Sequence, residues 1–231
     1  MITRKKIAML MAEFVGVAAL ATIALAVTQS NVGIPYFISG AVGLALAALV
    51  LILGGVSGAH LNPAVTIGLW SLRRIKTLAA VAYIAAQLLG AVAAYYLFTY
   101  FINSQNVDAP WETTSTFEAR ILVAEAVGAL IFTMGWAAAM YQKFTGLQQA
   151  VTIGASLTLG ILVASVATVA DGLFSGGFVN PAVALSSQSW VWGTYVLGPV
   201  LGGIIGFNLY ALLFAPASEL AAEAKSNSKK K

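Results

Sequence analysis

One nine-residue frame occurs twice in this chain, and both copies contain the tripeptide Asn-Pro-Ala. Ser57-Gly58-Ala59-His60-Leu61-Asn62-Pro63-Ala64-Val65 returns 118 positions later as Ser175-Gly176-Gly177-Phe178-Val179-Asn180-Pro181-Ala182-Val183. The surroundings return as well. Ala12-Glu13-Phe14-Val15-Gly16 recurs as Ala124-Glu125-Ala126-Val127-Gly128, and Tyr83 and Gly90 recur as Tyr195 and Gly202, all at a spacing of 112, so the linker after the second frame is six residues shorter. One tripeptide recurs by chance, but matched flanks at equivalent places in two halves do not. The chain is therefore two copies of one unit, and any fold it adopts must serve both.

The solvent of that fold follows from composition. Of 231 residues 60% are hydrophobic and only 9% are charged, with a mean hydropathy of +0.89, whereas a soluble domain carries roughly 25% charged residues. Such a chain cannot cover a water-facing surface and belongs in a bilayer. A helical crossing needs about 20 apolar residues, and six such runs stand near 7–28, 34–54, 78–102, 117–139, 147–170 and 193–215. Two more apolar pieces, about 62–70 and 180–189, are too short to cross and begin at the Asn-Pro-Ala corners. They read as half-helices. The basic start of the first run lacks a signal-peptide cleavage site behind it, so that run is kept as a span.

The expected architecture is all-α and integral to the membrane, with six transmembrane helices, two re-entrant half-helices and an inverted internal repeat. One transmembrane domain over 1–216 holds halves at about 7–102 and 117–215, and a basic tail over 217–231 is expected to be disordered. Inversion follows from counting, because three spans per half bring the second half in from the opposite face. Eleven of the twelve Lys and Arg residues then fall on one side, which the positive-inside rule makes cytoplasmic. Only Arg120 disagrees. Inverted repeats with interrupted helices mark a transport pathway at the repeat interface. Duplication for stability alone would leave the interruptions unexplained, since non-helical backbone at membrane depth persists only where it is buried in protein or lines a wet cavity.

Other chemistry is poorly supplied. There is no cysteine and a single histidine, so thiol chemistry, iron–sulfur clusters and histidine metal sites are all unexpected. No cofactor and no metal is implied. The net charge of +4 comes from terminal and loop clusters and offers no surface for nucleic acid.

The corners can do something more specific. Asn is a favoured N-cap and Pro a favoured first helical residue, so Asn62-Pro63-Ala64 and Asn180-Pro181-Ala182 each start a helix. If the Asn side-chain oxygen caps its own helix, the NH2 group alone is left to face a lumen. Two such amides meeting from opposite faces make water accept at the centre and donate outward, which interrupts a proton-hopping file. The half-helices also aim their positive dipole ends at this point, which disfavours cations. Small residues before each corner, Gly58-Ala59-His60 and Gly176-Gly177-Phe178, are read as extended stretches whose carbonyls form a ladder of acceptors. His60 is taken as a packed, hydrogen-bonded residue that contributes its carbonyl. Glu13 and Glu125 are carboxylates inside spans and hence functional candidates; they either hold the N–H groups of the broken loops or carry protons in a coupled transporter. Small residues at every fourth position, as from Ala12 to Gly16 and Ala124 to Gly128, signal close helix packing.

These residues together, Ser57 to Thr66, the second Asn180-Pro181-Ala182 and the paired Glu13 and Glu125, closely resemble the aquaporin and aquaglyceroporin family over about residues 7–215. The resemblance implies two half-helices meeting at mid-membrane, one pore per subunit and a homotetramer. Carried over residue by residue, it assigns the outer constriction to Val42, Thr168, Gly177 and Val183. The family normally has an arginine where Val183 stands, so the ring here is expected to be wider, less polar and uncharged, and to admit glycerol, urea or ammonia besides water. The aspartate that commonly follows that arginine in glycerol-conducting relatives is also missing, since Ala184 and Leu185 stand there. The expected function is a passive channel for water and small neutral solutes; an ion- or proton-coupled transporter using Glu13 and Glu125 is the alternative.

Overall fold

A computed structural model describes residues 3–30, 34–104, 108–113, 115–167, 172–173 and 175–218. Its elements, in chain order, are α1 (Arg4–Thr28), α2 (Pro35–Ser57), α3 (Pro63–Ser71), α4 (Thr77–Phe101), α5 (Ala119–Tyr141), α6 (Gly146–Val166), α7 (Pro181–Ser186) and α8 (Gly198–Phe214), the last continuous with a π-helical turn over Trp192–Leu197. All regular structure among the described residues is helical, and six of these helices are long and apolar enough to cross a membrane. The chain is a multi-pass membrane protein with two additional short helices.

The boundaries follow local chemistry. The Thr3 hydroxyl accepts from the Lys6 N–H to open α1, and the Glu118 carboxylate accepts from the Arg120 N–H to open α5. Pro35 occupies the first turn of α2, and Gly58, in the left-handed region at φ 91°, ends that helix. The second half-helix is shorter than the 180–189 expected from sequence and stops at Ser186. Its continuation is the polar run Ser186-Ser187-Gln188-Ser189. The Ser186 hydroxyl turns back to the Val183 carbonyl at 2.8 Å, Gln188 takes φ 51°, and the Ser189 N–H closes the turn on the Ala184 carbonyl at 2.9 Å. Serines bonding local backbone compete with the helix ladder.

Packing locks the two halves together. α1 lies on α2 and α4, α5 lies on α6 and α8, and α2 lies on α6. Each half-helix packs on the last helix of the other half: α3 against α8, and α7 against α4. The small residues seen in the sequence mark the tightest of these contacts. A Cβ on Gly90 would lie 2.4 Å from the Phe14 carbonyl oxygen, and one on Gly202 would lie 2.0 Å from that of Ala126. Phe14 and Ala126 are equivalent in the repeat, so the same backbone-to-helix contact is made twice.

The Gly202 contact gives a direct test. Gly202→Ala forces α8 away from α5, and overpacking of this kind costs about 1–3 kcal/mol. The thermal midpoint in detergent should fall by several degrees; an unchanged midpoint would mean the helices are not in backbone contact there.

Candidate pore centre and constriction

The site is organised by two buried carboxylates. Glu13, in α1, has no exposed surface; its Oε1 accepts from the Ser57 hydroxyl at 2.6 Å and the His60 N–H at 3.0 Å, and its Oε2 accepts from the Leu61 N–H at 2.8 Å and the Gln87 amide at 2.7 Å. Glu125, in α5, repeats the pattern. Its Oε1 accepts from the Ser175 hydroxyl and the Phe178 N–H, both at 2.9 Å, and its Oε2 from the Val179 N–H at 2.7 Å. Without these acceptors the loop N–H groups would be orphaned at membrane depth, where each costs several kcal/mol.

This arrangement corrects one expectation. The stretches before the corners are not extended, because successive N–H groups of an extended chain point in opposite directions and cannot converge on one carboxylate. Convergence needs left-handed residues in the run, and Gly58, Ala59 and Leu61 in the first loop, with Gly177 and Val179 in the second, have φ between 48° and 91°. Gly177 is further constrained, since a Cβ there would meet the Ser165 hydroxyl at 2.0 Å.

At the corners each Asn divides its amide between the two halves. Asn62 Oδ1 accepts from the Ala64 N–H at 2.8 Å while its Nδ2 donates to the Val179 carbonyl at 3.0 Å. Asn180 Oδ1 accepts from the Ala182 N–H at 3.0 Å while its Nδ2 donates to the Leu61 carbonyl at 2.9 Å. Pro63 and Pro181 fill the first helical positions, and Ala64 and Ala182 have no exposed surface. The side-chain oxygens are thus spent on capping. Of the two N–H bonds of each amide, one crosses to the opposite loop and one is left over, rather than both.

His60 is packed as well as bonded. Its Nδ1 lies 3.2 Å from Thr66 Oγ1, and its ring meets the edges of Tyr83 and Trp136. Thr66 in turn accepts from Gln87 Nε2 at 3.0 Å and donates to the Asn62 carbonyl at 3.1 Å. Sequence reasoning overlooked Gln87 and Thr66, although a lone amide in the apolar run of α4 was a visible signal. The second half has nothing comparable. At the positions equivalent to His60, Thr66 and Gln87 stand Phe178, Ala184 and Pro199, so Glu125 has three partners where Glu13 has four.

Of the four residues assigned to the constriction, Val42, Gly177 and Val183 line one cavity together with Asn180, and Thr168 lies outside the described residues. Leu20, Leu157 and Ile161, which the sequence did not single out, give the cavity an apolar wall, and Thr28 and Ser187 also line it. About 30 Å³ is open to water centres, enough for one or two waters. A second cavity, bounded by α1, α3 and α4, is lined by Met9, Leu69, Ala79 and Tyr83 together with Ser57, His60 and Arg74.

Known proteins resemble this chain in sequence and fold. The family described as Major intrinsic protein matches residues 2–210. Aquaporin NIP3-1 of Oryza sativa subsp. japonica is 34% identical over 214 residues, covering 86% of this chain and 66% of that protein; the chain thus spans about two thirds of its length. Aquaporin AqpM of Methanothermobacter thermautotrophicus is 34% identical over 187 residues, covering 75% of this chain and 74% of that one. Among solved structures, the aquaglyceroporin from Plasmodium falciparum superposes with a TM-score of 0.70 at 21% identity, over 93% of this chain and 99% of that chain, a likeness of fold. With the family match running across the doubled corners, both carboxylates and the six spans, the chain belongs to the major intrinsic protein family.

Proposed function

We propose that this chain is a passive pore for water and small neutral solutes such as glycerol, urea or ammonia, running downhill in either direction and catalysing no reaction. The observation that carries the reading is the division of the two Asn amides. With Asn62 Oδ1 and Asn180 Oδ1 both occupied by their own half-helices, the polar side chains at the meeting point have only N–H left to offer. A water there accepts at the centre and donates outward on both sides. That order carries neutral molecules and breaks a proton wire.

In this reading Asn62-Pro63-Ala64 and Asn180-Pro181-Ala182 form the pore centre, and Val42, Thr168, Gly177 and Val183 the outer constriction. The carbonyls of Gly58, Ala59, His60, Gly176 and Phe178 act as acceptors, and Glu13 and Glu125 hold the loops. Family membership supports a homotetramer with one pore per subunit. The distribution of Lys and Arg supports a place in the cell membrane with both termini cytoplasmic. The coupled-transport alternative needs carboxylates that exchange protons with the pathway. Glu13 and Glu125 instead have both oxygens engaged by loop donors.

Solute flux separates the two. In proteoliposomes, urea uptake should rise linearly with concentration and ignore an imposed pH gradient. Saturation together with acceleration by the gradient would replace the pore by a coupled carrier.

A further inference from the structure

The cavity bounded by α1, α3 and α4 lies beneath a cluster of positive charge. Arg4, Lys5 and Lys6 open α1, and Arg73, Arg74 and Lys76 lead from α3 into α4; all six are exposed. The two groups stand at one edge of the bundle, because α1 packs on α4 and their starts share this cavity through Met9 and Ala79. The other loop at this end joins α5 to α6 and carries Lys143 alone. Cations spread over all the helix ends would orient the chain in a membrane equally well. Their concentration at one edge calls for a further reason.

Helical register sets these charges over the cavity. Lys5 and Lys6 precede Met9 by four and three residues, and Lys76, the N-cap of α4, precedes Ala79 by three, so each cation stands above a lining residue of its own helix. Ile75 turns to the cavity between exposed neighbours. Arg74 also borders it but is engaged over the buried Tyr141 ring, and the site does not depend on it. None of Lys5, Lys6, Arg73 and Lys76 is in an ion pair with a described residue. Among the described carboxylates, Glu13 and Glu125 are buried, and Asp108, Glu112 and Glu118 follow the far end of α4.

Below the charges the walls are largely apolar, with Met9, Leu69, Ile75 and Ala79. The volume of about 450 Å³ is far more than a water or two needs at about 30 Å³ each. Beside it, Ile7 and Met11 of α1 and Leu78 and Val81 of α4 are exposed and apolar, which in a membrane chain is surface turned to lipid. Cations at the helix starts above an apolar cleft at a lipid-facing edge match an anionic head joined to an apolar chain.

We propose that this edge binds one anionic phospholipid of the leaflet in which α1 and α4 begin. Its phosphate is held by Lys5, Lys6, Arg73 and Lys76, and one acyl chain enters the cavity along Met9, Ile75 and Ala79. Basic clusters beside a membrane helix attract anionic lipid; the cleft makes the attraction local, because a chain seated there keeps the phosphate under the cations. The bound lipid ties the start of α1 to the loop between α3 and α4, and a ligand of the folded state stabilises it by mass action.

The test is lipid titration of the full-length chain in detergent, read by the thermal midpoint and by mass spectrometry of the intact complex. Dioleoylphosphatidylglycerol should bind saturably, one molecule per chain, and raise the midpoint. Dioleoylphosphatidylcholine should bind at least about tenfold more weakly, and glycerol phosphate, which has the phosphate without the chains, should leave the midpoint unmoved. Lys6→Gln and Lys76→Gln should each weaken phosphatidylglycerol binding about fivefold, the effect of one Lys near an anionic lipid. Lys143→Gln should leave it unchanged. Equal loss in Lys143→Gln would mean that the whole face attracts lipid, and glycerol phosphate as effective as the lipid would mean a phosphate site with no chain. Either result overturns the proposal, as does equal binding of the two lipids by the parent, a comparison that needs no variant.

Discussion

Arginine at Val183 should close the pore to glycerol and urea while leaving it open to water. Val183 is buried against the second-loop cavity with Val42, Gly177 and Asn180, where about 30 Å³ remains for water centres. A guanidinium adds bulk, five donors and a fixed charge to a wall that includes Leu20, Leu157 and Ile161. A water can trade its hydrogen bonds for those of the new group. A three-carbon polyol must also find volume, and the ring has none to spare. Glycerol and urea flux should fall by roughly tenfold or more, equivalent to about 1.4 kcal/mol of added barrier. Unchanged solute flux in Val183→Arg would show that the narrowest point lies elsewhere.

Removing Glu13 should be the most damaging single truncation in the chain. Glu13→Ala strands four donors, those of Ser57, His60, Leu61 and Gln87, and each buried donor left without an acceptor costs about 1–3 kcal/mol. Glu125→Ala strands three, those of Ser175, Phe178 and Val179. The expected losses are at least about 4 and 3 kcal/mol respectively, large against a total stability of about 5–15 kcal/mol. Both variants should yield little monodisperse protein in detergent, with Glu13→Ala the lower. A Glu13→Ala protein with parental yield and thermal midpoint would mean that the first loop is held by something else, and the proton-carrying role for the carboxylate would regain its footing.

Much of this arrangement was legible because the repeat doubles every signal. Asn62 and Asn180 announced helix starts by ordinary capping chemistry, and Glu13 and Glu125 were conspicuous as carboxylates at equivalent points in apolar runs. Gly90 and Gly202 were readable for the same reason, as small residues in matched frames. What the sequence concealed was of two kinds. Contacts that cross between the halves, such as Asn62 to the Val179 carbonyl, join residues more than a hundred positions apart and have no local signature. Apolar side chains carry no label for what they face, so Leu20 and Leu157 on the cavity wall look the same in sequence as residues turned to lipid. The left-handed residues Ala59, Leu61 and Val179 were also hidden, since their conformation is imposed by a distant carboxylate and none is glycine. The asymmetry between the halves lay in plain view at His60, Thr66 and Gln87 against Phe178, Ala184 and Pro199. Only contact geometry shows that those three polar residues form one cluster.

The central claim is that two Asn amides with nothing but N–H to offer pass water and stop protons. Simultaneous measurement in one vesicle preparation tests it: osmotic shrinkage against an impermeant solute, and internal pH under an imposed proton gradient. The expected result is water permeability well above that of protein-free vesicles, with proton leak close to theirs. Shrinkage no faster than in protein-free vesicles, or proton leak rising in step with water flux, would contradict it.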